Sequence, residues 1–387
     1  MTPGARVAAA IVVLDSVLEG APAERALTNW ARAARYAGSG DRAAVRDHVF
    51  GALRCLRSFS ALGGGGDGRA LMIGSLRAQG IDPDIVFTGQ GHGPAPLSDI
   101  EKGGGHTPSE AEARDLPDWL WPYFEASLGP KAAATAEALR HRAPVTLRVN
   151  ARRITREAAQ DRLSREGIGT RAVEGASFAL QVLEGVRKIS RSMLYREGLV
   201  ELQDASSQAA MEAIALPEGA RVLDYCAGGG GKTLALAARL DCDWFAHDAE
   251  PRRMTDLPAR AARAGVHIRL CDTRELDALA PFDAVLCDVP CSGSGTWRRA
   301  PQAKWALTPD RLRELTGIQK DILRRAAALL APTGVLIYAT CSVFRLENED
   351  VVGKASGAAP GWSRRTCRRW QVDAEGDGFF LAHLWRE

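Results

Sequence analysis

Hydrophobic and polar positions divide the chain into a front part with helical spacing and a back part in which short apolar runs alternate with amphipathic stretches. In the front part, Val45, Val49 and Leu53 recur at four-residue intervals, so they share one face of a helix. In the back part, the runs at 284–287 and 334–340 are short, bounded and aliphatic, which is typical of buried strands. The pattern therefore predicts a helical region followed by an α/β region.

Residues 1–140 form the predicted helical domain. Glycine-rich stretches at 63–66 and 88–107 interrupt the helical pattern and predict loops, and helix returns over 115–139. Arginines beside the apolar face of a helix have two interpretations: they contact RNA, or they form an ordinary solvated edge. Four arginines flank the apolar face of the helix predicted over 41–62: Arg42, Arg46, Arg54 and Arg57.

Residues 141–215 form a predicted small α+β segment. Strands are predicted at 145–149 and 178–183, and a helix over 155–166 with Thr155 as its N-cap. The basic residues of this segment are denser than in the rest of the chain, and they either follow a phosphate backbone or form ordinary exposed surface. They are Arg148, Arg152, Arg153, Arg187, Lys188 and Arg191.

Residues 216–387 show regular alternation of strand and helix patterns, which predicts a parallel, doubly wound, Rossmann-like α/β sheet covered on both faces. In such sheets ligands bind outside the carboxyl ends of the strands. The predicted strands are 221–224, 244–247, 267–270, 284–288 and 334–340, and the predicted helices are 232–240, 251–264 and 309–330.

Composition places few further limits on the function. The formal net charge of the 387-residue chain is only +3, so a nucleic-acid surface must come from local clustering of arginine. No apolar run approaches membrane-spanning length, and the stretch at 8–14 keeps helical spacing and is followed by Asp15, which argues against a signal segment. Scattered cysteines predict a reducing compartment. We expect a cytoplasmic monomer that binds neither membrane nor metal.

Two cysteines follow the ends of two predicted strands. Cys291 comes shortly after Asp288 at the end of the first strand, and Cys341 ends the second. Paired thiols at one rim of a sheet indicate a metal site, a disulfide or nucleophilic catalysis. Because the sequence contains no C-x-x-C and no histidine near Cys291, zinc is disfavoured and catalysis is the interpretation to test.

A glycine-rich turn follows the strand at 221–224 and leads into a helix, so its backbone can approach a ligand closely. A phosphate-binding Walker loop requires glycine at the position of Cys226, and a dinucleotide fingerprint requires glycine at Thr233. The third candidate ligand is S-adenosylmethionine. Asp248 is placed to hold its ribose, and Asp272 to contact its adenine region. The predicted cofactor contacts are Cys226, Ala227, Gly228, Gly229, Gly230, Gly231, Lys232, Asp248, Asp272 and Asp288.

These residues resemble the Sun/Fmu-type, RsmB-like RNA cytosine-C5 methyltransferases. The resemblance is carried by the following stretches: CAGGGGKT at 226–233, DVPCSGSGTWRR at 288–299, YATCSV at 338–343, Glu347-Asn348-Glu349, and the terminal 377–380, with a typical lead-in at 198–208. The front helices are more loosely similar to the NusB-like domain of the bacterial 16S rRNA members. The sequence departs from the family at Gly228-Gly229, where Ala-Pro is usual, and at Leu346, where glutamate is usual.

The resemblance implies the chemistry of the two thiols. It assigns to Cys341 the role of the nucleophile that adds to C6 of cytosine. Cys291 would remove the C5 proton or release the enzyme, and Asp288 would contact the base. DNA cytosine methyltransferases instead use the cysteine of a Pro-Cys pair as the nucleophile, which here is Cys291. Flanking phosphates are expected to contact three basic residues at the end of this stretch or shortly after it: Arg298, Arg299 and Lys304.

The resemblance also implies a division of labour and a target. Residues 1–140 would dock RNA, and 216–387 would bind S-adenosylmethionine and catalyse methyl transfer. The α+β segment 141–215 would be the lead-in segment that precedes the methyltransferase domain. The expected target is 16S rRNA. A tRNA cytosine-C5 methyltransferase and a non-catalytic RNA-binding ribosome-assembly factor are the alternatives.

Overall fold

The computed structural model describes residues 1–358 and 362–386. The chain separates into two compact units. The helical unit comprises Met1–Glu125, Gly129–Arg142 and Trp297–Ala306, and the α/β unit comprises Ala126–Leu128, Ala143–Thr296 and Leu307–Glu387. The ten residues 297–306, which begin six positions after Cys291 in sequence, therefore belong to the helical unit.

Helices begin where capping residues and proline favour them. Thr2 accepts a hydrogen bond from the Ala5 N–H at 3.2 Å, and Pro3 occupies the first position of α1. The region predicted as a loop over 88–107 also contains the short helix α6, which starts with a capping box between Ser98 and Glu101. The helices before residue 142 are α1 Pro3–Leu18, α2 Ala23–Ala33, α3 Ser39–Arg54, α4 Leu56–Gly63, α5 Gly68–Ala78, α6 Asp99–Gly103, α7 Glu110–Ala113, α8 Trp121–Leu128 and α9 Ala132–Arg140.

The core of the helical unit forms around α1, α3 and α5. The predicted apolar face of α3 is buried, with Val45 and Val49 fully inaccessible and Leu53 nearly so. These side chains pack in one cluster with Leu14 of α1 and Met72 of α5. The four-residue spacing read from the sequence is thus the face that the core covers.

A small antiparallel sheet opens the α/β unit. Its strands are β1 Val145–Val149, β2 Thr170–Val173, β3 Ala176–Val182 and β4 Val200–Leu202, in the order β2-β3-β1-β4. Its helices are α10 Arg156–Arg165, α11 Met193–Arg196 and α12 Ala205–Glu212. Thr155 caps α10 as predicted, since its side chain accepts from the Ala158 N–H at 3.2 Å.

The larger sheet holds the strands predicted after residue 216. Its strands are β5 Arg221–Asp224, β6 Asp243–Ala246, β7 Arg269–Leu270, β8 Phe282–Asp288, β9 Leu330–Thr340, β10 Trp362–Trp370 and β11 Phe379–Arg386. The accompanying helices are α13 Gly231–Ala237, α14 Leu257–Ala264, α15 Leu276–Leu279, α16 Pro301–Ala306, α17 Pro309–Ala328 and α18 Glu349–Ala358, of which α16 lies in the helical unit. The helix predicted over 251–264 is a 3₁₀ turn followed by α14.

The strand order is β10-β11-β9-β8-β5-β6-β7, and β9 through β7 run parallel. The strands β10 and β11 form an antiparallel hairpin that extends the sheet beyond β9, which strand–helix alternation did not predict. Along β8, Val285 and Cys287 pack in a cluster with Leu323 of α17, whereas Ala284 and Leu286 pack in a second cluster with residues of α13. Both faces of the sheet are therefore covered, as the doubly wound prediction requires.

The predicted succession is confirmed: a helical region, a small α+β segment and a Rossmann-like α/β sheet. None of the helices in the described part of the chain is long and apolar enough to cross a membrane.

Candidate active site

The parallel register of β8 and β9 brings the two cysteines together. Asp288, the last residue of β8, pairs with Ala339 of β9, so both strands end at the same edge of the sheet. The Sγ atoms of Cys291 and Cys341 lie 3.5 Å apart, although fifty positions separate them in sequence. Both thiols are half-buried and reduced. The structure thus brings together the three residues predicted to be catalytic.

The surroundings of the thiol pair distinguish its members. The hydrogen bond with the Cys291 thiol lowers the pKa of Cys341, and the nearby Lys232 ammonium lowers it further. Burial and the charge of Asp288 oppose this shift but do not cancel it. The same hydrogen bond, together with burial, raises the pKa of Cys291 well above its ordinary value. The hydroxyl of Thr296 lies 4.0 Å from the Cys341 sulfur. These pKa directions favour Cys341 as the thiolate of the pair.

An ion pair lies beside the thiols. The Lys232 ammonium at the start of α13 donates to the Asp288 carboxylate at 2.5 Å. Burial alone would lower the pKa of Lys232, but the charge of Asp288 and this hydrogen bond more than offset it, so the pKa is raised. The pair places a fixed positive charge near the thiols and leaves Asp288, whose side chain is 29% exposed, able to reach a ligand.

Around the glycine turn, polar side chains hold the backbone. Gly228 and Gly230 have φ of +50° and +75°, a region that favours glycine. The Gly228 N–H donates to Asp248 at 2.9 Å, and Arg260, itself paired with Glu201, donates to the Gly229 carbonyl. Side chains from other elements thus hydrogen-bond the backbone of Gly228 and Gly229, the two positions at which the sequence departs from the Ala-Pro of the family that it resembles.

The donor and acceptor set of this turn fits S-adenosylmethionine. Asp248 lies two residues after β6 and is 3% exposed. Its carboxylate accepts from the Gly228 and Glu250 N–H groups, each at 2.9 Å, and lies 3.4 Å from the Arg253 guanidinium. A carboxylate has about four acceptor sites, so it keeps acceptor capacity for a ribose diol. A Cβ at residue 230 would lie 2.1 Å from Leu257, which shows how closely the loop backbone is packed. Asp272, by contrast, is exposed and its carboxylate accepts from the Arg274 N–H at 2.7 Å.

Other predicted members of the loop have structural surroundings. Burial raises the pKa of Cys226, so this thiol stays protonated beside the loop. Ala227 accepts from the Gly230 N–H at 2.8 Å, which closes the turn, and Gly231 is the first residue of α13.

One aspartate in this region was not predicted. Asp224, the last residue of β5, is 2% exposed and accepts from the Thr233 hydroxyl at 2.5 Å, which ties the strand end to α13. Burial raises the pKa of Asp224 to about 7. Its other oxygen is buried without a hydrogen-bond partner. The signal that could have found it is its place at a strand end directly before the glycine turn.

Two of the three predicted RNA contacts are buried, which corrects the sequence-based expectation. Within the helical unit, Lys304 is 1% exposed and donates to the Arg54 carbonyl at 3.0 Å, and Arg298 is 2% exposed. Lys304 therefore satisfies a carbonyl at the end of α3, where a helix leaves such groups unpaired and favours positive charge. Arg299 is exposed, and its contact with RNA stays a prediction.

The basic residues of the small α+β segment are also partly structural. Arg148 is 6% exposed and donates to the Gly231 carbonyl at 2.7 Å, so it holds the cofactor turn. Arg152 and Arg153 donate to backbone carbonyls of the α/β unit. These contacts account for their positions without RNA. Across residues 1–358 and 362–386, no group of three or more His, Cys, Asp or Glu side chains is arranged to hold a metal ion.

Comparisons with known proteins identify the family of the chain. Residues 211–385 match the family described as 16S rRNA methyltransferase RsmB/F, and residues 116–188 match a ferredoxin-like domain of RsmF/B-like methyltransferases. The chain is 31% identical over 300 residues to ribosomal RNA small subunit methyltransferase B of Xanthomonas campestris, covering 72% of this chain and 68% of that protein. The protein of the same name from Cronobacter sakazakii is 31% identical over 299 residues, 71% of this chain and 68% of its own.

Solved structures share the fold. The crystal structure of PH0851 superposes with a TM-score of 0.78 at 21% identity, covering 100% of this chain and 99% of its own. NSun6 from Pyrococcus horikoshii, solved with SFG, gives a TM-score of 0.62 at 18% identity over 70% of this chain and 98% of its own. The sequence relationship together with the paired thiols and the glycine turn places the chain in the RsmB/F family of S-adenosylmethionine-dependent RNA cytosine-C5 methyltransferases.

Proposed function

We propose that this protein methylates C5 of a cytosine in 16S rRNA, in the cytoplasm, through a covalent adduct between Cys341 and the base. The observation that carries the proposal is the pair of thiols 3.5 Å apart beside the Asp288–Lys232 ion pair. The description of the family and the names of the relatives support an rRNA target. A reducing compartment is supported by the chemistry, since two thiols this close must stay reduced for one of them to act as a nucleophile.

The first step is nucleophilic addition. Cytosine C5 is a poor nucleophile in the intact ring, so the Cys341 thiolate adds to C6, forms a carbon–sulfur bond and shifts a ring electron pair toward C5. The hydrogen bond from Cys291 and the charge of Lys232 favour the thiolate before attack. Asp288 accepts a hydrogen bond from the exocyclic amine, or from N3 once N3 is protonated in the adduct, and so stabilises the adduct. When bound, S-adenosylmethionine supplies the electrophilic methyl group that C5 accepts.

The second step is release. Once Cys341 is bonded to C6 it no longer accepts the hydrogen bond of Cys291, so the largest cause of the raised pKa of Cys291 is removed and burial is left as the other main cause. Cys291 then releases its own proton to solvent. The Cys291 thiolate then accepts the C5 proton. The electrons of that C–H bond restore the C5–C6 double bond, and Cys341 leaves as a thiolate. Because stacking hides C6, the base must be unpaired or extruded, at a cost of a few kcal/mol.

The roles of the cysteines are tested with labelled RNA on denaturing gels. Cys341→Ala should abolish methylation and any RNA–protein adduct, because the C6 bond never forms. Cys291→Ala should instead accumulate an adduct, because methylation proceeds but the C5 proton stays in place. Cys367→Ala, at an exposed thiol outside the site, is the matched control and should behave like the wild type.

Three outcomes would contradict parts of the proposal. An adduct that requires Cys291 and persists without Cys341 would reverse the two roles. Bisulfite mapping that finds the methylated cytosine in tRNA would move the target away from rRNA. RNA binding with no methyl transfer from labelled cofactor would favour the assembly-factor alternative.

A further inference from the structure

We propose that Glu347 is a positioning residue that holds the Cys291 and Cys341 loops at their working separation. This role rests on the proposed function, in which the two thiols act in sequence on one base. Glu347 ends a 3₁₀ turn before α18 and is fully buried.

The carboxylate of Glu347 contacts both cysteine loops. One oxygen, Oε1, accepts from the Ser292 N–H at 2.8 Å, and Oε2 accepts from the hydroxyls of Ser292 and Ser342, each at 2.5 Å. Ser292 directly follows Cys291, and Ser342 directly follows Cys341. A single carboxylate therefore binds the neighbour of each reactive thiol.

A third element locks the carboxylate. Gln319 of α17 is fully buried and donates through Nε2 to Glu347 Oε1 at 3.0 Å and to the carbonyl of Pro290, the residue before Cys291, also at 3.0 Å. The Tyr338 hydroxyl donates to the Glu347 backbone carbonyl at 2.5 Å. The strand β9, the helix α17 and the turn before α18 thus converge on this residue.

The residue after Glu347 secures Cys341 from both sides. The Thr340 hydroxyl donates to the Asn348 side-chain oxygen at 2.6 Å, and the Asn348 amide donates to the Ser342 carbonyl at 2.8 Å. Thr340 and Ser342 are the two neighbours of Cys341 in sequence. The backbone on either side of the proposed nucleophile is therefore fixed.

A carboxylate suits this position because it only accepts hydrogen bonds and has about four acceptor sites on its two oxygens. Four donors contact the Glu347 carboxylate and match that capacity: the Ser292 N–H, the Ser292 and Ser342 hydroxyls and the Gln319 amide. Hydrogen bonds to a charged acceptor are roughly twice as strong as neutral ones. A misplacement of about 1 Å in reacting groups can lower a rate about 100-fold. The hydrogen bonds that join Ser292 and Ser342 through the Glu347 carboxylate, called the bridge below, are thus strong enough and close enough to the thiols to control the distance between them.

The test compares Glu347→Ala and Glu347→Gln with Glu349→Gln. Glu349 is a nearby carboxylate that pairs with Arg369, so its variant is the matched control. Glu347→Ala should lower kcat about 100-fold with the KM for RNA changed less than about threefold. Glu347→Gln keeps the shape and one acceptor oxygen, so it should recover part of the loss. Thermal melts and cofactor calorimetry establish that each variant is folded.

A second measurement does not depend on methyl transfer. Dibromobimane links two thiols that lie close together, and peptide mapping identifies the Cys291–Cys341 link. The wild type and Glu349→Gln should link rapidly, and Glu347→Ala about tenfold more slowly, because a loosened loop samples the close geometry less often. Ser342→Ala, which removes one arm of the bridge, serves if Glu347→Ala does not fold and should show the same losses in smaller degree.

A folded Glu347→Ala that keeps wild-type kcat, or that links its thiols at the wild-type rate, would overturn the proposal. So would a loss that appears only in the KM for RNA. If the wild type links its thiols normally but methylates no RNA, the proposed function fails, and the linking rates still decide whether Glu347 sets the distance.

Discussion

The substitution Lys304→Met tests whether this residue packs inside the helical unit or contacts RNA. The Lys304 ammonium donates to the Arg54 carbonyl at 3.0 Å and lies 4.7 Å from the Trp305 ring centre. Burial lowers the pKa of Lys304 from its ordinary 10.5 to about 8. Methionine has a similar length but no charge, so the variant removes the buried ammonium and keeps most of the packing.

The magnitude follows from the lowered pKa. A change from 10.5 to about 8 means that the folded protein holds the charged lysine less favourably than the unfolded chain, by about 3 kcal/mol at about 1.4 kcal/mol per pH unit. Between these two pH values the unfolded chain binds the additional proton, so the free energy of unfolding rises with pH, and this contribution is lost as pH falls through 8. At residue 304, methionine binds no proton and should remove that rise.

The assay is urea unfolding of the wild type, Lys304→Met and Arg299→Met from pH 7 to 11, followed by circular dichroism. The free energy of unfolding of the wild type minus that of Lys304→Met should rise with pH by about 3 kcal/mol. Arg299→Met, at an exposed position, should run parallel to the wild type. RNA affinity of Lys304→Met should keep the wild-type salt dependence. A salt slope lower by about one, with a parallel pH profile, would instead make Lys304 a phosphate contact and refute its structural role.

Two further predictions concern the cofactor and the domains. Asp248→Ala should weaken S-adenosylmethionine binding by about 1–3 kcal/mol in calorimetry, because polar partners are left unpaired; unchanged affinity would remove Asp248 from the site. A fragment that starts near His141 should unfold at lower temperature than the full chain, because residues 297–306 lose the helical partners that bury Trp297 and Lys304. A fragment as stable as the full chain, judged by calorimetry, would show that 1–140 is an independent module.

The sequence by itself determined the parts of the site that depend on local pattern. Short aliphatic runs defined β8 and β9, and the alternation with helices implied that the two strands run parallel. Parallel strands bring their carboxyl ends to one edge, so strand position alone was enough to group Asp288, Cys291 and Cys341. The glycine turn was identified in the same way, because glycine is required where φ is positive.

Only the tertiary structure decided the surroundings of the polar side chains. Lys304 follows the Cys291 motif in sequence and was expected to contact phosphate, yet its acceptor is a carbonyl 250 positions earlier. Likewise, a glutamate in the turn before α18 proves to join both cysteine loops only once α17, β8 and β9 are in place. Periodicity reports which face of a helix or strand is covered, whereas the burial and hydrogen-bond partners of a charged group depend on residues distant in sequence that packing brings within about 3 Å.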